Sequence, residues 1–131
     1  MHRVVRNCFI TSGEGTESML DIQKTMERGA PCLKLLGEVD RSNIEQFSAA
    51  VDEVLREGCR RLVLDFTHLV FLDSAAVSVI FRTLARLSPE EWLAVLNPAP
   101  SILRLLQLVG LPEVANFRVF VSRQEMQIAL D

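Results

Sequence analysis

Arg61-Leu62-Val63-Leu64-Asp65-Phe66-Thr67-His68-Leu69-Val70-Phe71-Leu72-Asp73-Ser74-Ala75-Ala76-Val77-Ser78-Val79-Ile80 holds in one run a strand signal, a connection and a helix start. Leu62-Val63-Leu64 is apolar without alternation, the pattern of a central strand covered on both faces. Thr67 to Leu72 reads as the connection. At Asp73-Ser74 the period changes: Val77, Ile80, Phe81, Leu84 and Leu87 recur at helical spacing, leaving Ser74, Ser78, Arg82 and Arg86 near the opposite face. A serine at that junction meets backbone N–H groups that have no partner inside the helix, so its side chain can serve as N-cap. Its hydroxyl is equally a candidate phosphoacceptor.

Upstream, Met19 to Thr25 and Ala30 to Leu36 read as two extended segments around the turn-forming Glu27-Arg28-Gly29, and hence as a hairpin. Gly37-Glu38-Val39-Asp40 closes the second strand. Ser42 with Glu45 has the spacing of a capping box, and Ile44, Phe47, Val51, Val54 and Leu55 then mark one face of a helix that Gly58 stops. Downstream, Trp92 to Leu96 is a strand, Asn97-Pro98-Ala99-Pro100 a turn, and Ser101 to Val109 a helix stopped by Gly110 and Pro112. Phe117, Val119 and Val121 alternate as a last strand. Ser122 with Glu125 is a second capping box, opening a short helix that turns Met126, Ala129 and Leu130 inward. The order is ββαβαβαβα, which predicts an α/β domain: a mixed sheet with an N-terminal antiparallel hairpin, about four helices on one face, and crossovers joining parallel strands.

The chain of 131 residues suits one domain with a single core. Residues 1–17, ending in Thr11-Ser12-Gly13-Glu14-Gly15-Thr16, read as a flexible extension, and residues 18–131 as the domain. A net charge of −3, with two lysines and no basic cluster beyond Arg60-Arg61, argues against nucleic acid as a partner. Three widely spaced cysteines without a CxxC pair are the usage of a reducing compartment. No apolar run nears the roughly 18 residues that would span a bilayer. Met1 to Ile10 is too short in its apolar part for a signal peptide. The expectation is a cytoplasmic protein with no membrane contact.

Chemistry of the enzymatic kind finds little support. Ser74 lacks the glycine-flanked elbow of a hydrolase nucleophile, and His68 has no evident orienting partner. Asp40, Asp65 and Asp73 all fall at predicted strand ends or the loops after them, where an acidic cluster could hold Mg²⁺. Turn-forming and capping roles account for them more simply. No metal, no cofactor and no catalytic residue is expected.

Phe71-Leu72-Asp73-Ser74-Ala75-Ala76-Val77-Ser78-Val79-Ile80, taken with Gly37-Glu38-Val39-Asp40 and Leu108-Val109-Gly110-Leu111, resembles STAS domains of the anti-sigma-factor antagonist type over residues 18–131. The resemblance implies a non-enzymatic switch whose serine, here Ser74, is phosphorylated by a partner that is both serine kinase and anti-sigma factor. The unphosphorylated form binds that partner and frees its sigma factor, and a PP2C-type phosphatase restores it. The partner-binding surface would comprise Asp40, Asp73, Ser74, Ala75, Ser78 and Arg82. Such antagonists usually follow the serine with a small polar residue and a glycine, whereas Ala75-Ala76 stand here. Alanine favours helix over glycine by about 1 kcal/mol, so the helix start is firmer. The alternative is a STAS interaction module that is not phosphorylated, such as an accessory subunit of a lipid-transport ABC system.

Overall fold

In the computed structural model, which describes residues 5–6, 20–59 and 61–130, the N-terminal hairpin is longer than its sequence pattern predicts. After β1 (Val5–Arg6), strand β2 (Leu20–Glu27) pairs antiparallel with β3 (Ala30–Val39). The turn between β2 and β3 has positive φ at both central residues, Arg28 (50°) and Gly29 (85°), the twist-matched geometry of a two-residue hairpin. Of the extension at residues 1–17, only Val5 and Arg6 are described, where they add the short β1 to the outer edge of β2. Its Gly- and Ser-containing stretch lies outside the described residues.

The remaining elements are α1 (Ile44–Arg56), β4 (Arg61–Leu72), α2 (Ser74–Arg86), β5 (Trp92–Leu96), α3 (Pro100–Leu108), β6 (Phe117–Phe120) and α4 (Arg123–Leu130). The sheet runs β1-β2-β3-β4-β5-β6, with β3 to β6 parallel to one another. The expected α/β order ββαβαβαβα is therefore the observed one, with β1 added ahead of it.

β4 departs most from the sequence reading. Thr67 to Leu72, read as a connection, continues the strand, because β3 also runs on to Val39 and supplies backbone partners as far as the pair Val39–Leu72. Two register shifts, between Lys34 and Leu36 and between Gly37 and Glu38, each place an extra residue in β4. An uninterrupted strand would send Phe66, His68, Val70 and Leu72 to one face. The bulges instead return Phe66, Leu69 and Leu72 to the core, and leave Val70 (66% exposed) and Phe71 (47%) outside.

Helices α1, α2 and α3 cover one face, where Phe47, Val51 and Val54 of α1 and Val77, Ile80 and Leu84 of α2 close over Leu33, Leu35, Leu62, Leu64 and Phe66. The expectation of helices on one face fails for α4. Met126 and Leu130 pack on the opposite face over Ala30, Cys32, Val63, Trp92, Ala94, Leu96 and Phe120. Alternation within the central strands makes this inevitable: Leu62 and Leu64 fill one side, so Val63 faces the other and needs its own cover. β6 serves both clusters, with Phe117 and Phe120 buried on opposite sides, so the expected run of Val119 and Val121 is only half-buried and exposed respectively.

Candidate functional site

β3 and β4 end side by side, so the residues that follow their last pair, Asp40 and Asp73, open the adjacent turns into α1 and α2. The Asp73 N–H donates to the Val39 carbonyl over 3.2 Å and ties the two exits together. Asp40 organises its own turn. Its Oδ1 accepts from the Ser42 N–H (2.9 Å) and hydroxyl (2.6 Å), while Asn43 Oδ1 accepts from the Asp40 N–H (2.9 Å) and Asn43 Nδ2 donates to the Glu38 carbonyl (2.9 Å). The expected Ser42–Glu45 capping box does not form. Asn43 is the residue before α1, and Ser42 turns back to Asp40. At α4 the second box forms with a shift of one residue: Ser122 Oγ accepts from the Glu125 N–H (3.1 Å), and Glu125 Oε1 accepts from the N–H of Val121 (2.9 Å).

At α2 the cap is Asp73, not Ser74. Asp73 has extended backbone, and its Oδ1 accepts from the N–H groups of Ala75 (2.9 Å) and Ala76 (3.3 Å). Ser74 is the first residue of the helix, exposed, with no hydrogen bond from its hydroxyl among the described residues. Ala75 is half-buried and Ala76 fully buried against the core, so a side chain larger than methyl at Ala76 would meet packed neighbours. Ser78 and Arg82 lie exposed on later turns. Asp40, Asp73, Ser74, Ala75, Ser78 and Arg82 therefore share the edge formed by the β3 and β4 exits and the outward side of α2.

Asp65 does not belong to this edge. It is 2% exposed on the face opposite α2, where its Oδ1 accepts from the Thr67 N–H (3.0 Å) and hydroxyl (2.6 Å). Arg123 of α4 reaches its Oδ2 at 3.4 Å. The three aspartates thus do not converge, and among the described residues no group of three His, Cys, Asp or Glu is placed to hold a metal ion. No helix among these residues is long and apolar enough to cross a membrane.

A family model described as Mlab, STAS domain, matches residues 22–119. An anti-sigma F factor antagonist of Paenibacillus polymyxa is 30% identical over 94 residues, covering 70% of this chain and 80% of that protein. The chain belongs to the STAS domain family of anti-sigma factor antagonists. Solved STAS structures share the fold. An anti-sigma factor antagonist from Mycobacterium paratuberculosis superimposes with a TM-score of 0.79 at 20% identity, over 88% of this chain and 97% of that one. The Bacillus cell fate determinant SpoIIAA in its phosphorylated form does so with a TM-score of 0.65 at 23% identity, over 84% and 99%.

Within this STAS domain, sequence periodicity misplaces one residue of the edge. Phe81 is expected inward with Ile80 and Leu84, but the core at that turn is filled by Ile80, Thr83 and Leu84, and Phe81 is 37% exposed. Counting from Ser74 in steps of four and seven would have found it, since a residue seven positions on lies beneath the same stripe.

Proposed function

We propose that this STAS domain is a phosphorylation-controlled anti-sigma factor antagonist: unphosphorylated, it binds an anti-sigma factor that is also a serine kinase, and so releases a sigma factor or regulator. The observation that carries this reading is the division of labour at the α2 start. Asp73 satisfies the helix N-terminus, so the Ser74 hydroxyl is exposed and unspent. Modification there breaks no native hydrogen bond. A phosphate adds about −1.5 to −2 charges, which a helix N-terminus tolerates by about 0.3–1 kcal/mol, so the domain stays folded. The same charge pressed into a fitted partner surface weakens binding. A PP2C-type phosphatase would reset the serine. The protein itself contributes a surface and the modified hydroxyl, while the chemistry belongs to its partners.

Incubation with ATP and the genomically neighbouring anti-sigma kinase, followed by peptide mass spectrometry, should place one phosphate on Ser74 and none on Ser74→Ala. Absence of phosphate, with Ser74→Ala indistinguishable from wild type in partner release, would refute the proposal. A second reading, an unphosphorylated STAS module such as an accessory subunit of a lipid-transport ABC system, is favoured by Ala75-Ala76 and by the Mlab description of the matching family model. Co-purification with an ATPase and permease instead of a kinase distinguishes it.

A further inference from the structure

β4 runs on to Leu72, whereas its pairing with β5 stops at Asp65–Leu96. At Asn97 the chain turns out of the sheet with φ 54°, a left-handed conformation that asparagine tolerates better than most residues. The Asn97 N–H donates to the Phe120 carbonyl at 2.7 Å and fixes the turn. Where β5 leaves, a cavity of about 220 Å³ opens beside β4, on the face that α4 covers. Crevices beyond the carboxyl ends of parallel strands are the usual ligand positions in open sheets. Lys34 of β3, Asp65, Thr67 and His68 of β4, Asn97, and Arg123 at the start of α4 line it, and Leu96 is the one apolar residue in the lining.

Asp65 is the fixed point of this cavity. It is 2% exposed, its Oδ1 accepts from the Thr67 N–H and hydroxyl, and its Oδ2 faces Arg123 at 3.4 Å. The other terminal nitrogen of Arg123 donates to Glu27, which lies outside the lining, at 3.2 Å. Lys34 stands opposite Asp65 in the register of β3 and β4, but the carboxylate is held by Arg123 and Thr67. The half-buried Lys34 side chain has no ion pair or hydrogen bond among the described residues, and neither has His68. At the mouth, Asn97 Nδ2 lies 3.4 Å from the Thr67 hydroxyl oxygen.

We infer that this cavity binds a small organic acid as its monocarboxylate, held by the Lys34 ammonium and the Asn97 amide. The bond from the ammonium is charge-assisted, the strong kind. Two cations and one buried carboxylate in the lining make an excess of one positive charge, which matches a carboxylate better than a phosphate of about −1.5 to −2. The volume lies below the roughly 300–1,000 Å³ of pockets that take drug-sized ligands, too small for a nucleotide, and Leu96 alone offers no wall for an acyl chain. The cavity and Ser74 lie on opposite faces of the sheet, so a bound acid leaves the Ser74 edge uncovered, and the inference stands apart from the antagonist reading.

The test is a titration of the full chain with sodium acetate, sodium pyruvate and sodium lactate in turn, followed by amide NMR, with sodium chloride and sodium phosphate at matched ionic strength. At least one carboxylate should give saturable shifts at the amides of Thr67, His68, Asn97 and Arg123 and none at Ser74, with a Kd of about 1 mM or tighter. Lys34→Gln should weaken it about tenfold or more. Asn97→Gly, which removes the amide but adopts the left-handed turn readily, should weaken it about threefold or more, with melting temperatures showing that both variants fold. Shifts that follow chloride equally, or no saturation with any carboxylate at tens of millimolar, would overturn the site. Tighter binding of phosphate at the same amides would overturn the carboxylate assignment, and affinities unchanged in both folded variants would overturn the roles of Lys34 and Asn97.

Discussion

Asp73 and Ser74 hold two roles that a single serine could have combined. The aspartate accepts from the N–H groups of Ala75 and Ala76, and the serine one position later contributes nothing to the cap. Their substitutions therefore separate. Asp73→Ala should cost about 1 kcal/mol in urea unfolding, the usual loss on removing a cap, whereas Ser74→Ala should stay within about 0.5 kcal/mol of wild type. Equal losses for the two variants would mean that the serine caps the helix after all. The adjacency of Asp73 and Ser74 was legible in the sequence, but which of them caps was not. The choice depends on where the helical φ and ψ begin, and the bond from the Asp73 N–H to the Val39 carbonyl holds Asp73 extended, just outside the helix.

Among the elements, β4 and α4 are the two whose neighbours redefine them. The run from Thr67 to Leu72 lacks clean alternation, and so reads as a loop until β3 is seen beside it with two bulges absorbing the mismatch. α4 carries an ordinary apolar face, and only the second sheet face, with Cys32 and Val63 in need of cover, explains where that face goes. Met126→Ala should therefore destabilise by about 2–5 kcal/mol, as truncation of a fully buried side chain does, measured by the shift in urea midpoint. Cys32 beneath this helix gives a second check. Burial, reinforced by the nearby Asp65 and Glu27 carboxylates, pushes its thiol up to about 12 from an ordinary 9.0. The unfolded chain releases that proton first, so the contribution is complete below about pH 9 and stability declines as pH rises from there towards 12, by about 1.4 kcal/mol per pH unit. Burial also raises the Cys59 thiol and adds in the same sense. Replacing Cys32 with alanine should remove its share of the alkaline decline, seen as a shallower fall in urea midpoint above about pH 9; an unchanged slope would place the cause elsewhere.

For the whole molecule, the two apolar clusters sit on opposite faces of one sheet and share its central strands, Leu62 and Leu64 facing one way and Val63 the other. Loss of either face strips the backbone of the other, so unfolding should be a single cooperative step. The chain has one tryptophan, Trp92, placed in the smaller cluster, where its ring meets Phe120 edge-on at 5.8 Å. Its fluorescence should therefore follow the same denaturant curve as far-UV circular dichroism, which reports every helix. A tryptophan transition at clearly lower urea would show α4 opening on its own. By the same logic Ser74→Asp, a negative charge outside both clusters, should leave this curve within about 0.5 kcal/mol of wild type while removing kinase binding.

Element order, the mixed sheet with its leading hairpin and the Asp73-Ser74 junction are properties of the sequence alone. They follow from period changes, turn residues and caps, all of which act over a few neighbouring residues. Three things were decided only by the tertiary structure. β3 supplied the partner that made Thr67 to Leu72 a strand, and the second sheet face drew α4 away from the other helices. At α2, Ile80, Thr83 and Leu84 take the buried side of their turn, and Phe81, expected in the core, is left 37% exposed at its margin. Each depends on residues far apart in the chain competing for the same space, and no local pattern records the outcome of that competition.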